Sequence, residues 1–203
     1  GYVATTIAEH FRDEGKRVLL LLDSLTRLAR AQREVGLAAG EPPVHRGFPA
    51  STFQLLPALL ERAGTGAVGS ITAIYTVLVA GDDMADPVAD EVRGILDGHI
   101  VLSRRLAERG HWPAVDVLAS LSRLMPQVTD MDHQRAAAAL RRALAIYEEH
   151  RDFLTLGAYK SGANPELDDV VATWPEIEAF LTQPVNTDEP WDQAVSHLLD
   201  LYG

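Results

Sequence analysis

No cysteine occurs in the 203 residues. That excludes a disulfide framework, a thiolate metal site and a cysteine nucleophile. No run of 18 or more apolar residues occurs either, so the sequence implies no membrane-spanning helix. The opening stretch, GYVATTIAEHFRDEGKR, lacks the basic start and apolar centre of a signal peptide. The expected setting is therefore cytoplasmic. Positive charge is scarce: 18 Lys and Arg stand against 29 Asp and Glu, for a net charge of −11. A broad nucleic-acid footprint needs a basic face, so no nucleic-acid partner is expected. Several catalytic signatures are missing as well. No G-x-x-x-x-G-K-[ST] phosphate loop occurs, no G-x-G-x-x-G, no G-x-S-x-G and no H-E-x-x-H. The seven histidines are scattered without metal-ligand spacing.

What remains is an ordinary globular balance, 47% apolar and 23% charged, in a chain long enough for one domain or one plus a small appendix. Its organising stretch is Arg17-Val18-Leu19-Leu20-Leu21-Leu22-Asp23-Ser24. Five consecutive aliphatic residues without alternation predict a central strand of a parallel sheet, buried on both faces. Asp23 then falls at the carboxyl edge of that sheet, where open α/β folds bind ligands. A carboxylate there suits Mg2+ held through water beside a nucleotide phosphate. The same residue equally suits the N-cap of a helix starting at Ser24, and the run alone does not choose between the two.

Around this strand the chain alternates. Val3, Ile7 and Phe11 share one face of a helix over 2–13, closed by Gly15. A second helix runs from Ser24 to Gly36, with Arg27, Arg30 and Arg33 as a basic stripe read as a solvated face. Residues 36–51, rich in Gly and Pro, form a long loop, a feature that is usually functional. A helix over 51–63 points Phe53, Leu56, Leu59 and Leu60 inward. Residues 70–79 predict a second buried strand. The Ala80-Gly81-Asp82-Asp83 that follows either sets a second acidic cluster on the same edge as Asp23 or is a turn with an Asp cap for the next helix. A helix from Pro87 to Leu96 and a third buried strand over 99–102 follow. Residues 103–128 read as strand fragments and loops. Beyond 130 the chain is helical: a long helix through Leu154, short helices over 165–172 and 175–182, and a last one over 191–202. These patterns place a domain boundary near 128, separating 1–128 from 129–203.

Three blocks carry a close resemblance: DSLTRLARAQREVGLAAGEPP, the stretch from GSITAIYTVLVAGDD to SRLMPQV, and LGAYKSGANPELDD. The chain resembles the flagellar and type III secretion export ATPases, relatives of the ATP synthase catalytic β subunit, over about residues 2–183. The fold implied is α/β: part of a RecA-like P-loop NTPase core, a mostly parallel sheet with flanking helices, followed by an α-helical C-terminal domain. In that family the phosphate loop and the Glu that polarises the attacking water precede the matched part. The resemblance therefore implies a C-terminal fragment, inactive alone, of a homohexamer that hydrolyses ATP with Mg2+ to drive protein export. By resemblance Asp23 ends the Walker B strand and holds Mg2+ through water. Arg123 is the arginine finger serving a neighbouring subunit, Trp112 stacks on adenine, and Tyr159 is the second wall of that pocket. The loop 40–51 faces the central pore. Asp82 and Asp83 belong to an acidic loop near the subunit boundary. The partners implied are a central stalk protein, export chaperone–substrate complexes and the export apparatus at the cytoplasmic face of the inner membrane. The alternative is a non-enzymatic short form that docks chaperones, substrate or the stalk.

Overall fold

The structure, a computed structural model, describes every residue except Met84 and the side chain of Asp82. It divides into two compact units, Gly1–Leu96 and Asp97–Gly203.

In the first unit, helix α1 (Tyr2–Asp13) leads into strand β1 (Arg17–Leu22) and helix α2 (Leu25–Ala38). A small antiparallel hairpin follows, β2 (Pro43–His45) with β3 (Phe48–Pro49), then helix α3 (Ala50–Leu60). Strands β4 (Gly64–Thr65) and β5 (Ser70–Tyr75) and helix α4 (Pro87–Ile95) complete it. The sheet order is β1-β5-β4, with β1 and β5 parallel from Arg17↔Ser70 to Leu22↔Tyr75, and β4 antiparallel to β5. The sheet is therefore mixed. One face, with Leu20 and Ile71 buried, packs on Ala8 of α1. Helices α2, α3 and α4 form a second core around Leu25, Leu56, Leu59 and Val88.

The strand over 18–22 is present, but its expected double burial is not. Leu19 is 60% exposed and Leu21 66%, with Ile74 of β5 beside them at 54%. Among the described residues β1 pairs only with β5 and forms an edge. Among the described residues no helix covers the face shared by Leu19, Leu21 and Ile74, so strand identity followed from composition while burial did not. Helix α1 is likewise turned. It buries Thr5 and Ala8 and leaves Val3, Ile7 and Phe11 exposed, because the small residues allow its close approach to the sheet. The long loop 36–51 is largely helix end plus hairpin: Gly47 takes a positive φ at the turn, and Phe48 is buried. Arg33 lies over the Phe48 ring, 5.1 Å from its centroid, so that member of the basic stripe is a cation–π partner.

In the second unit, β6 (Gly98–Leu102), helix α5 (Arg104–Glu108) and β7 (Val115–Ser122) are followed by helix α6 (Met125–Val128). Helices α7 (Met131–Thr155), α8 (Pro165–Leu181) and α9 (Trp191–Tyr202) close the chain. β6 and β7 form their own antiparallel pair. The expected third buried strand is thus a two-stranded ribbon with Ile100 and Leu102 exposed. The two short helices expected over 165–182 are one. Pro175 removes a single N–H from α8, yet Val170 and Ile177, on either side of it, bury in one core with α7 and α9 and hold the helix through it.

Candidate functional site

Asp23 directly follows β1, and Thr76 directly follows β5. The parallel register sets Leu22 opposite Tyr75, so the next residues meet at the carboxyl edge. Thr76 Oγ1 donates to Asp23 Oδ1 at 2.6 Å, and the Thr76 N–H donates to Leu22 O at 3.1 Å. Asp23 is exposed, and its Oδ2 accepts no hydrogen bond among the described residues. Capping of α2 falls to Ser24, whose side chain accepts from the Arg27 N–H. Thr26, buried on the first turn of α2, both accepts from the Leu78 N–H at 2.8 Å and donates to Leu78 O at 3.3 Å. These bonds hold the segment after β5 against the start of α2. The Asp23–Ser24 peptide bond is cis.

The arrangement leaves one oxygen of a carboxylate, fixed in orientation by a threonine, open at a sheet edge. A single carboxylate cannot enclose a metal, and among the described residues no group of three or more His, Asp or Glu could do so. It suits the water shell of a Mg2+ whose other ligands are phosphate oxygens, since Mg2+ keeps several waters. On this donor set the residues present fit that group.

In the same unit, Arg46 at the hairpin tip donates to Asp83 Oδ2 at 2.6 Å. That bond, with the Ala85 N–H, holds the exposed Asp83 carboxyl below the usual aspartate range. Asp83 therefore ties the hairpin within 40–51 to the segment after β5. Asp82, its expected companion, has its side chain outside the described residues.

The other three candidates lie in the second unit. Trp112, 51% exposed, lines a cleft of about 340 Å3 with Gly110, Thr182, Gln183, Pro184 and Val185. The Gln183 N–H donates to Trp112 O at 2.8 Å, which seats the segment after α8 beside the indole. Val185 is 94% exposed at the rim. A flat aromatic with an aliphatic rim can hold a planar base. Tyr159 does not line this cleft. Its hydroxyl donates to Asp168 Oδ1 at 2.9 Å and accepts from the Asn164 N–H, stapling the 157–164 turn to the first turn of α8. Desolvation, then the Asp168 bond, pushes its pKa above the usual tyrosine value. Arg123 is exposed in the bend after β7, and its N–H donates to Asp97 O at 2.7 Å.

Residues 182–185 were missed by the sequence reading, which took 183–190 as a polar link. Their only signal is a Pro and a Val inside that link, too slight to indicate a cleft wall.

Residues 1–122 match the family model described as ATP synthase alpha/beta family, nucleotide-binding domain. The chain belongs to the ATP synthase alpha/beta family. Residues 129–200 of this family member also match the T3SS EscN ATPase C-terminal domain. Among curated relatives, the SPI-2 type 3 secretion system ATPase of Salmonella typhimurium is 60% identical over 182 residues, which are 90% of this chain and 42% of that protein. The flagellum-specific ATP synthase of Treponema pallidum is 54% identical over 202 residues, 100% of this chain and 45% of the relative. The solved structure of the assembled ATPase EscN in complex with its central stalk EscO, from enteropathogenic E. coli, superposes with a TM-score of 0.88 at 48% identity, covering 98% of this chain and 48% of that one. The chain thus spans less than half the length of these relatives.

Proposed function

We propose that these residues are the Walker B, finger and C-terminal part of an ATPase that drives type III protein export, flagellar or injectisome. The carrying observation is Asp23 at the carboxyl edge of the β1–β5 pair, with Oδ1 fixed by Thr76 and Oδ2 open. Mg2+, when bound with ATP, neutralises phosphate charge and orients the phosphates. In this reading Asp23 orients the metal's water shell, and Trp112 stacks on adenine. Arg123, an always-charged planar fork on an exposed bend, enters a neighbouring subunit's site and steadies charge on the transferring phosphoryl group. Residues 182–185 form the rim opposite Trp112. Tyr159, outside the cleft that Trp112 lines, is the second aromatic wall of the adenine pocket in this reading.

The oligomer proposed is a homohexamer around a central stalk, as the assembled relative with its stalk suggests. Chaperone–substrate complexes and the cytoplasmic face of the export apparatus are its further partners. Among the described residues no helix is long and apolar enough to cross a membrane. The functional division is proposed near residue 128, since one family match ends at 122 and the other begins at 129.

The test is a chimera joining these 203 residues to the N-terminal part of the Salmonella SPI-2 relative. The 203 residues alone contain no phosphate loop and are expected not to turn over ATP. The chimera is expected to hydrolyse it. Asp23→Asn should abolish most of that turnover and weaken its dependence on Mg2+; full turnover in Asp23→Asn rejects the assignment. Tyr159→Phe, and then Tyr159→Ala, should reveal any ring contribution to nucleotide affinity, and unchanged affinity in both removes Tyr159 from the pocket.

A further inference from the structure

Strand β7 is not a regular partner of β6. On β6 the step from His99 to Val101 is two residues; on β7 the matching step, Leu121 back to Asp116, is five. The surplus forms a bulge over Val117–Ser120. Bulges re-aim the chain that follows them and are common beside active sites. This one ends just before Arg123.

A bulge leaves carbonyls outside the ladder, and each needs a donor. Here side chains supply them all. Ser120 Oγ donates to Asp116 O at 2.6 Å, and His99 Nε2 lies 3.0 Å from Ala119 O. The remaining three go to one residue of α7. Arg141 Nη1 donates to Val117 O at 2.5 Å and Ser120 O at 3.2 Å, and its Nη2 to Leu118 O at 3.2 Å. A guanidinium has the fixed fan of donors for such a task. On the far side of the bulge the ribbon is fixed by close backbone approach. A Cβ on Gly98 would lie 2.4 Å from Leu121 O, and the Arg123 N–H is held by Asp97 O. The strand leading to Arg123 is thus gripped from α7 at one end and from the start of β6 at the other.

We infer that Arg141 is a positioning residue: by clamping the Val117–Ser120 bulge to α7 it sets the direction in which the bend presents Arg123. The inference rests on the reading of Arg123 as the finger.

The neighbouring arginine supplies the control. Arg142 pairs with Glu166 through an exposed bond of 2.7 Å and has no hydrogen bond to β7 among the described residues. In the chimera, Arg141→Ala is expected to lower kcat about 10–100-fold, the range for misplacing a group from a distance, with the KM for ATP unchanged. Arg141→Lys, which can reach only part of the carbonyl set, should give an intermediate kcat. Arg142→Ala should leave kcat at the parent level. If Arg141→Ala does not fold, Arg141→Lys carries the test alone, with amide exchange at 117–123 expected to speed up and exchange in α8 unchanged. A kcat for Arg141→Ala or Arg141→Lys equal to that of Arg142→Ala overturns the inference while leaving the finger intact. Full turnover in Arg123→Ala overturns the finger reading itself and the inference with it.

Discussion

Single side chains carry the chemistry proposed here, and their environments make specific demands. Arg123→Ala in the chimera is expected to reduce kcat by about three orders of magnitude, the usual worth of an arginine finger, with nucleotide affinity retained in a binding titration. Trp112→Ala should weaken ATP binding by roughly the 1–3 kcal/mol of a base–aromatic stack, read by equilibrium dialysis. The family resemblance proposes both residues from the sequence, but the groups packed beside them are not legible there. Nothing in the sequence pairs Trp112 with Gln183, because the link is a backbone N–H to a backbone carbonyl and any residue pair but proline can make it. The ion pair of Glu9 with Arg62 is another such case. The Arg62 hydrogen bond holds the Glu9 carboxyl below its ordinary value of 4.5. With the folded pKa depressed, the pair stabilises fully above that value and its contribution is lost as pH falls through the lower, folded one. The melting temperature should therefore drop on acidification below about pH 4.5, by an amount reduced in Arg62→Ala and in high salt.

Helices and strands were legible to different degrees, and burial explains the difference. The α2 start, the β1 run and the long α7 follow from composition and period, since backbone conformation is largely a local matter. Which face of an element is covered depends on a partner elsewhere in the chain. Thus α1 buries Thr5 and Ala8, and β1 exposes Leu19 and Leu21. The join between α2 and the segment after β5 combines a backbone bond, the Leu25 N–H to Thr76 O at 2.9 Å, with the hydroxyl of Thr26. Thr26→Val keeps the shape but leaves the Leu78 N–H and carbonyl without Thr26 Oγ1, and should cost about 1–3 kcal/mol in denaturant unfolding.

For the chain as a whole, the notable property is apolar surface left open on the first unit. Leu19, Leu21 and Ile74 on the sheet and Val3, Ile7 and Phe11 on α1 are all more than two-fifths exposed. Surface of this kind promotes association in solution. The 203-residue chain should bind a hydrophobic dye and show concentration-dependent association by sedimentation. Leu21→Lys should diminish both without lowering the melting temperature.

The order of residues was sufficient to set down a strand of aliphatics ending in Asp23, a helix directly after it, and a family likeness carried by motifs; that Ser24 and not Asp23 caps that helix came with the structure. Chain-distant relations came only with folding. Thr76 reaches Asp23 because two strands run parallel in register, residues 182–185 reach Trp112 across the second unit, and Arg141 gathers three carbonyls of a bulge. Local periodicity records what a residue's immediate neighbours require. A hydrogen bond between groups far apart in sequence leaves no period behind it, and its existence is decided by packing.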